Sequence, residues 1–194
     1  MNLDKTTNYI VSGIERSGTS MLMQMLEKGG YPVSTDDKRK PDEHNPRGYY
    51  ELEGGKIINK LMNNTFPFEK YKARFIKITA YGLKFLPEGK YHIIYSERNI
   101  EEILNSMEKM ADIKDQNRHE TKEIFLKLNS MIIDKIQHRS DCNVLLVNYN
   151  NMINEPELEI EKIISFIGEK DADKKAMIHT IDTNLYRQRD SLIS

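Results

Sequence analysis

Residues 9–20 read Tyr9-Ile10-Val11-Ser12-Gly13-Ile14-Glu15-Arg16-Ser17-Gly18-Thr19-Ser20. A short β-prone run ends at Ser12-Gly13. A helical pattern starts at about Thr19, with Met21, Leu22, Met25 and Leu26 on one face and Gly29-Gly30 as its stop. Between the two, Gly13 and Gly18 let the backbone curl, and the amides of the helix start point into the concavity. A curled loop backed by a helix dipole is an anion cradle. The stretch keeps the spacing of a Walker A loop except at one position: Thr19 stands where the lysine is expected, and the nearest cation, Arg16, comes three residues earlier. A Walker lysine reaches the β- and γ-phosphates, with the next hydroxyl on magnesium. A guanidinium inside the loop instead forks onto one terminal group and its bridging oxygen. No strand in the pattern ends in the acidic residue that would complete a magnesium site, which disfavours an ordinary ATPase or kinase. The plain alternative is a strand–turn–helix that needs its glycines and binds nothing.

Outward from this loop the chain alternates strands and helices. Residues 34–49 are charged, carry two prolines and lack periodicity, so they form a long surface loop, of the kind that is usually functional. Lys56–Met62 is a short helix, Phe75–Ile78 a strand and His92–Ser96 another. The segment 99–111 follows the helical period with Ile100, Ile103, Leu104, Met107 and Met110, and 120–138 does so with Ile124, Phe125, Leu128, Met131, Ile132 and Ile136. The charge-rich stretch 114–127 reads as a wetted face. Val144–Val147 is wholly apolar, which suits a strand buried on both faces of a parallel sheet. A helix over about 156–167 presents Leu158, Ile163, Ile164 and Ile167, and a short helix over 171–179 precedes an irregular tail, 180–194. The expectation is a single α/β domain over 1–194, a three-layer P-loop-like fold with a central parallel sheet flanked by helices and a ligand at the strands' carboxyl ends.

A second motif follows the strand at 92–96. Arg98 stands at its carboxyl end and Ser106 eight residues later, at the border of the helix's apolar stripe. Eight helical residues rise about 12 Å, so the two converge on one group only if Arg98 extends along the helix. A phosphate between them would receive a bidentate donor and a hydroxyl. The alternative is an Arg closing a strand and a Ser on a helix flank.

These two motifs carry a resemblance. Gly13–Ser20, read as G-x-x-R-S-G-T-S and followed by Met21-Leu22, resembles the 5′-phosphosulfate loop of PAPS-dependent sulfotransferases. Tyr95–Met107 (YSERNIEEILNSM) is similar to the segment with which they hold the cofactor's 3′-phosphate. Nearly the whole chain takes part. Asn45-Pro46-Arg47-Gly48-Tyr49-Tyr50-Glu51 resembles a segment of small bacterial sulfotransferases, and so do Val147–Met152 with Glu155-Pro156 and the ending Asn184–Arg189.

The resemblance implies transfer of the sulfuryl group of PAPS to a hydroxyl or amine, with release of adenosine 3′,5′-bisphosphate (PAP). It places Arg16 on the sulfuryl and bridging oxygens, helped by Gly13, Glu15, Ser17, Gly18, Thr19 and Ser20, and Arg98 and Ser106 on the 3′-phosphate. Such transfer needs in-line positioning, cations on the leaving oxygens and a base. A sulfuryl group carries less charge than a phosphoryl, so basic side chains take the place of a metal. Lys77 is a second cation, or equally an edge-strand lysine with its head in water. Glu51 leads as the base, with Glu53 and His44 as alternatives in the same stretch; its plainer role is a charge at the start of the helix 56–62. Tyr49 and Tyr50 either stack on adenine or acceptor or anchor their loop. Arg187 and Arg189 either swing onto the 3′-phosphate or are solvated tail charges. The rival functions are an atypical P-loop kinase and a non-catalytic nucleotide-binding module.

Composition bounds the rest. Lys and Arg number 29 against 30 Asp and Glu, so no global basic field recommends nucleic acid, and any anion site is a local cluster. Cys142 is the single cysteine, which excludes an intrachain disulfide or a Cys-based zinc site. His92, His119, His138 and His179 lack metal-ligand spacing. Met1–Asn8 lacks a signal peptide's apolar core and no apolar run approaches bilayer length, so a cytoplasmic protein without a membrane span is expected. The acceptor is left open among small molecules, carbohydrates and lipids, and so is the oligomeric state.

Overall fold

The computed structural model describes residues 1–36, 38–43, 45–169 and 171–181. The β-prone run becomes β1 (Asn8–Gly13), buried along its whole length. It lies inside a four-stranded, wholly parallel sheet with β2 (Phe75–Lys77), β3 (Tyr91–Glu97) and β4 (Cys142–Asn148), in the order β2-β1-β3-β4. Register pairs Ile10 with Ile76 on one side and with Ile93 on the other, and Gly13 with Ser96.

Strand alternation sends neighbouring residues to opposite faces, and each face has its own core. Tyr9, Val11, Phe75, Ile94 and Val147 pack with α1 (Thr19–Lys28), α6 (Pro156–Ile167) and α7 (Lys174–His179). Ile10, Ile76, Ile93 and Tyr95 pack with α2 (Ile57–Met62), α3 (Ile100–Ala111) and α4 (Arg118–Gln137). A sheet between two helical layers is the architecture expected. Each fully buried Ile or Leu here contributes about 1.5–3 kcal/mol by leaving water. Among the described residues no helix is long and apolar enough to cross a membrane.

Local chemistry sets the helix ends. Asn99 caps α3 with its side chain, accepting from the backbone N–H of Glu101 at 2.8 Å and of Glu102, an interaction worth about 1 kcal/mol. Asn148 caps α5 (Tyr149–Asn154) by accepting from the Asn151 N–H at 3.0 Å, and Pro156 opens α6.

Several expectations need correction. β4 is an edge strand, so Val144, Leu145 and Leu146 are only half-buried, although the run packs on both faces, Val144 and Leu146 against one core and Leu145 and Val147 in the other. Leu158 is 49% exposed, and Ile160 takes its place on the buried face of α6. The helix expected over 171–179 is shorter, because Asp173 caps it by accepting from the Ala176 N–H at 2.9 Å. β3 does end on an acid, Glu97. Its carboxylate accepts from Asn129 of α4 at 3.5 Å and does not line the cleft described below.

Chain direction creates the site. From β1 the sheet grows one way to β2 and the other way to β3, so the connections after β1 and β3 leave in opposite senses. The crevice at such a switch point, outside the carboxyl ends of the strands, is where ligands bind in open α/β sheets.

Candidate active site

The loop after β1 is held tightly. A Cβ on Gly13 would lie 2.3 Å from Ser17 Oγ and 2.6 Å from the Ser96 carbonyl, so only glycine lets this turn close against β3. Gly18 has φ +99°, and a Cβ there would fall 2.2 Å from the ring of Tyr149. Arg16 itself adopts a left-handed φ of +66°, uncommon for a side-chain-bearing residue. The Ser96 hydroxyl donates to the Ser17 carbonyl at 2.6 Å. Ser17 Oγ is buried beneath the loop, against Gly13, with no hydrogen-bond partner among the described residues, and Ser17 does not line the cleft. The first turn of α1, which no side chain caps, lines the same cleft.

Arg16 and Arg98 cross. The Arg16 side chain runs to α3, where Nε donates to Ser106 Oγ at 2.9 Å and Nη1 lies 3.8 Å from Met110 Sδ. Burial lowers the pKa of its guanidinium. Arg98 runs the other way. Its Nη1 donates to the Arg16 carbonyl at 3.1 Å, its Nε donates to Glu102 Oε2 at 2.9 Å, and its guanidinium lies 4.5 Å from the Tyr149 ring centroid. Glu102 is 2% exposed and also accepts from Asn150 Nδ2 at 3.0 Å. Ser106, expected at a stripe border, is buried, and both it and Arg98 line the cleft.

Lys77 ends the edge strand β2 yet is 7% exposed, which corrects the expectation of a head in water. Its Nζ donates to the Tyr49 carbonyl, to Ser20 Oγ at 3.2 Å and to Glu51 Oε1 at 3.3 Å. Burial lowers its pKa against the opposing pull of Glu51. Glu51 is held in turn by Arg39, whose Nη1 lies 3.2 Å from Oε1 and 3.3 Å from Oε2. The carboxylate therefore does not act as a charge at the start of α2, and it lines the cleft. Glu53 points elsewhere, to Lys38 at 2.7 Å and Lys60 at 2.8 Å, and these partners lower its pKa to about 2. Tyr49 and Tyr50 anchor their loop: the Tyr49 hydroxyl donates to Asp42 at 2.7 and 2.8 Å, and that of Tyr50 to Glu27 at 2.6 Å. His44, Arg187 and Arg189 lie outside the described residues.

Arg16, Lys77, Arg98, Ser106 and Glu51 thus share one cleft with the glycine loop. Arg39, Arg47 and Lys109 line it too, against the acids Glu15 and Glu51, a local electropositive site in a chain of net charge −1. The sequence reading missed Arg39, Glu102, Lys109 and Tyr149. For Glu102 the signal was present, since an acid four residues after Arg98 on a helix is in register to meet it. Arg39 and Tyr149 come near the site through long-range folding and left no local signature.

Comparison with known proteins bears on both fold and family. The structure resembles mouse sulfotransferase SULT7A1 complexed with PAP, with a TM-score of 0.57 at 16% identity, covering 99% of this chain and 69% of that one. It resembles the sulfotransferase domain of the Synechococcus PCC 7002 olefin synthase with a TM-score of 0.61 at 15% identity, covering 93% and 78% of the two chains. Sulfotransferase STF9 from Mycobacterium avium gives 0.54 at 12% identity, covering 94% and 69%. No curated protein matches the chain in sequence. The family model described as Sulfotransferase domain matches residues 6–189, and the chain belongs to the sulfotransferase family.

Proposed function

We propose that this sulfotransferase takes its sulfuryl group from PAPS and passes it to a hydroxyl or amine acceptor, releasing PAP. The observation that carries the reading is the meeting of Arg16, Lys77 and Arg98 with the carboxylate of Glu51 in one cleft. The residues present fit a donor with two anionic ends. The glycine loop would take one anionic group, and Arg98, which donates to the Arg16 carbonyl, would take the other beside it together with Ser106, which accepts from Arg16 Nε. The likeness to structures that hold PAP supports the same donor.

When bound, PAPS supplies a sulfuryl group already activated on a phosphosulfate anhydride. The chain's part is to bind, orient and move a proton. Arg16 and the amides of Ser17–Ser20 grip the 5′ end, and Lys77 adds a desolvated cation beside them, where low dielectric strengthens its pull. Arg98 and Ser106 fix the 3′ end and thereby the direction of the 5′ group. Glu51 takes the acceptor's proton as the new bond forms. These cations cover the charge that develops on the leaving oxygens, so turnover is expected without added magnesium.

Retinol dehydratase, whose fold is similar, is complexed with retinol and PAP in one solved structure and with androsterone and PAP in another; for this chain the acceptor class reads as a small molecule, carbohydrate or lipid bearing a hydroxyl or amine. A cytoplasmic location agrees with the single, half-buried cysteine, Cys142.

The test is thermal stability with PAP, ADP and ATP·Mg at matched concentration, followed by turnover of Glu51→Gln. A ligand at a hundred times its Kd adds about 2.7 kcal/mol. A shift with PAP and little with ADP supports the reading; a shift only with ATP·Mg overturns it in favour of a kinase. Turnover lost in Glu51→Gln with PAP binding kept supports the base, and unchanged turnover removes Glu51 from the role.

A further inference from the structure

The described residues between Asp36 and Glu53 form a strap along the cleft, and the ties at its outer edge differ from the contacts of Arg39. At the outer edge, Asp36 Oδ2 accepts from the Glu53 N–H at 2.5 Å, while Lys38 and Lys60 both pair with the Glu53 carboxylate. The Asp36 N–H also donates to the Glu51 carbonyl at 2.9 Å. These contacts hold the strap without Arg39.

Arg39 does something different. Its guanidinium lies flat against Tyr49, 3.4 Å from the ring centroid, with Nη1 bridging both oxygens of Glu51. The ring is a fixed platform. Tyr49 is buried, its hydroxyl is bound to Asp42, and its carbonyl accepts from Lys77 and from Ser20 Oγ. Lys77 grips the Glu51 carboxylate from a second direction, and Gly55 closes a third, where a Cβ would stand 2.7 Å from Oε2. An Arg stacked on an immobile ring loses little freedom when it forms a hydrogen bond.

We propose that Arg39 is a positioning residue that sets the Glu51 carboxylate for proton removal from the acceptor; this rests on the reading of Glu51 as the base. Arg39 is 42% exposed at its side chain, and an ion pair that open contributes little to folding. Its contribution is therefore to geometry. A catalytic group displaced by an ångström loses about a hundredfold in rate.

A double-mutant cycle on the full chain tests this, using Arg39→Ala, Arg39→Lys, Glu51→Gln and the double variant Arg39→Ala with Glu51→Gln. Two quantities are read: PAP released from PAPS with solvent water as acceptor, and PAP affinity by calorimetry. Arg39→Ala is expected to lower kcat by about ten- to a hundredfold with PAP affinity unchanged. Arg39→Lys recovers part of the rate, and Arg39→Ala costs nothing further in the Glu51→Gln background. Wild-type kcat in Arg39→Ala overturns the proposal while leaving the base reading intact, provided Glu51→Gln turns over measurably but more slowly than wild type. So does an equal loss in both backgrounds, or a loss of PAP affinity in step with the rate, which marks Arg39 as a tie of the loop. Wild-type turnover in Glu51→Gln is the separate failure of the base reading, and the proposal falls with it.

Discussion

Arg98 donates from Nη1 to the backbone carbonyl of Arg16 across 3.1 Å, so the cation at the end of β3 forms part of the wall of the loop after β1. The two anion-facing segments are one construction. Glu102 makes this affordable, because its carboxylate, buried beside Arg98, offsets the desolvation of the guanidinium. Glu102→Ala is expected to destabilise the fold by about 3–5 kcal/mol, the cost of breaking a buried pair. It is also expected to weaken PAP binding, since the orientation of Arg98 goes with it. Urea denaturation and calorimetry check both. Glu102→Gln, which keeps an acceptor oxygen for Arg98 Nε, is expected to fall between wild type and Ala.

Gly18 sits at φ +99° with Tyr149 against it, and Tyr149 is also the ring beneath Arg98. Gly18→Ala meets two obstacles, a left-handed backbone and an aromatic ring in the space of the new methyl. The expected result is loss of PAP binding together with a lower unfolding temperature. Adding Tyr149→Ala clears the space but leaves the backbone cost of about 1 kcal/mol and adds the cost of emptying a buried ring's volume, about 3–5 kcal/mol. The double variant is thus expected to be no more stable than Gly18→Ala, and PAP affinity stays low because Arg98 has lost its platform. Melting curves with and without PAP separate the two effects.

Elements with a long repeating pattern were legible in the sequence, and features made by distant residues were not. The helices at 19–28, 100–111 and 118–137 follow from their apolar spacing, and the loop at 13–20 from its glycines. Strand order fixed the errors. Val144–Val147 looks like a central strand because its residues are apolar, but only the sheet's order reveals it as an edge. Lys77 looks like an exposed lysine for the opposite reason: its strand is an edge, and the strap carrying Tyr49 covers it. Within the site, the pairing of Arg16 with Ser106 joins residues 90 apart in sequence. No local pattern encodes that contact.

The buried ammonium of Lys77 gives a pH dependence with a definite sign. Burial lowers its pKa from the ordinary 10.5 in the folded chain. Between the lowered value and the ordinary one, the unfolded chain binds more protons than the folded chain, so stability rises with pH across that window. Below it, the buried charge costs its full amount. Lys77→Met is therefore expected to raise the unfolding temperature at neutral pH, with the gain shrinking as pH approaches that of a free lysine, about 10.4. Turnover is expected to fall by about a hundredfold or more, the usual loss when one electrostatic contact to a developing charge is removed. A variant more stable and less active is the signature of a group kept for chemistry. A Lys77→Met variant that is less stable at neutral pH would instead mean that the contacts to Tyr49, Ser20 and Glu51 outweigh the desolvation of the charge.

Ser106 accepts from Arg16 Nε at 2.9 Å, and its hydroxyl proton remains to be donated. In the proposed reading a 3′-phosphate takes that proton, with Arg98 at the opening of the same helix and both residues lining the cleft. Ser106→Ala removes that donor and also the acceptor that holds Arg16 across the site. A hydrogen bond to a charged group is worth about 1.5–3 kcal/mol, so PAP affinity is expected to fall at least tenfold. ADP, which has no 3′-phosphate, is expected to lose less affinity in Ser106→Ala than PAP does, only what the freed Arg16 costs at the 5′ end. The ratio of the two Kd values is the informative number: a larger fall for PAP ties Ser106 to the 3′ end, whereas an equal fall for both nucleotides would mean that Ser106 acts by steering Arg16 at the 5′ end.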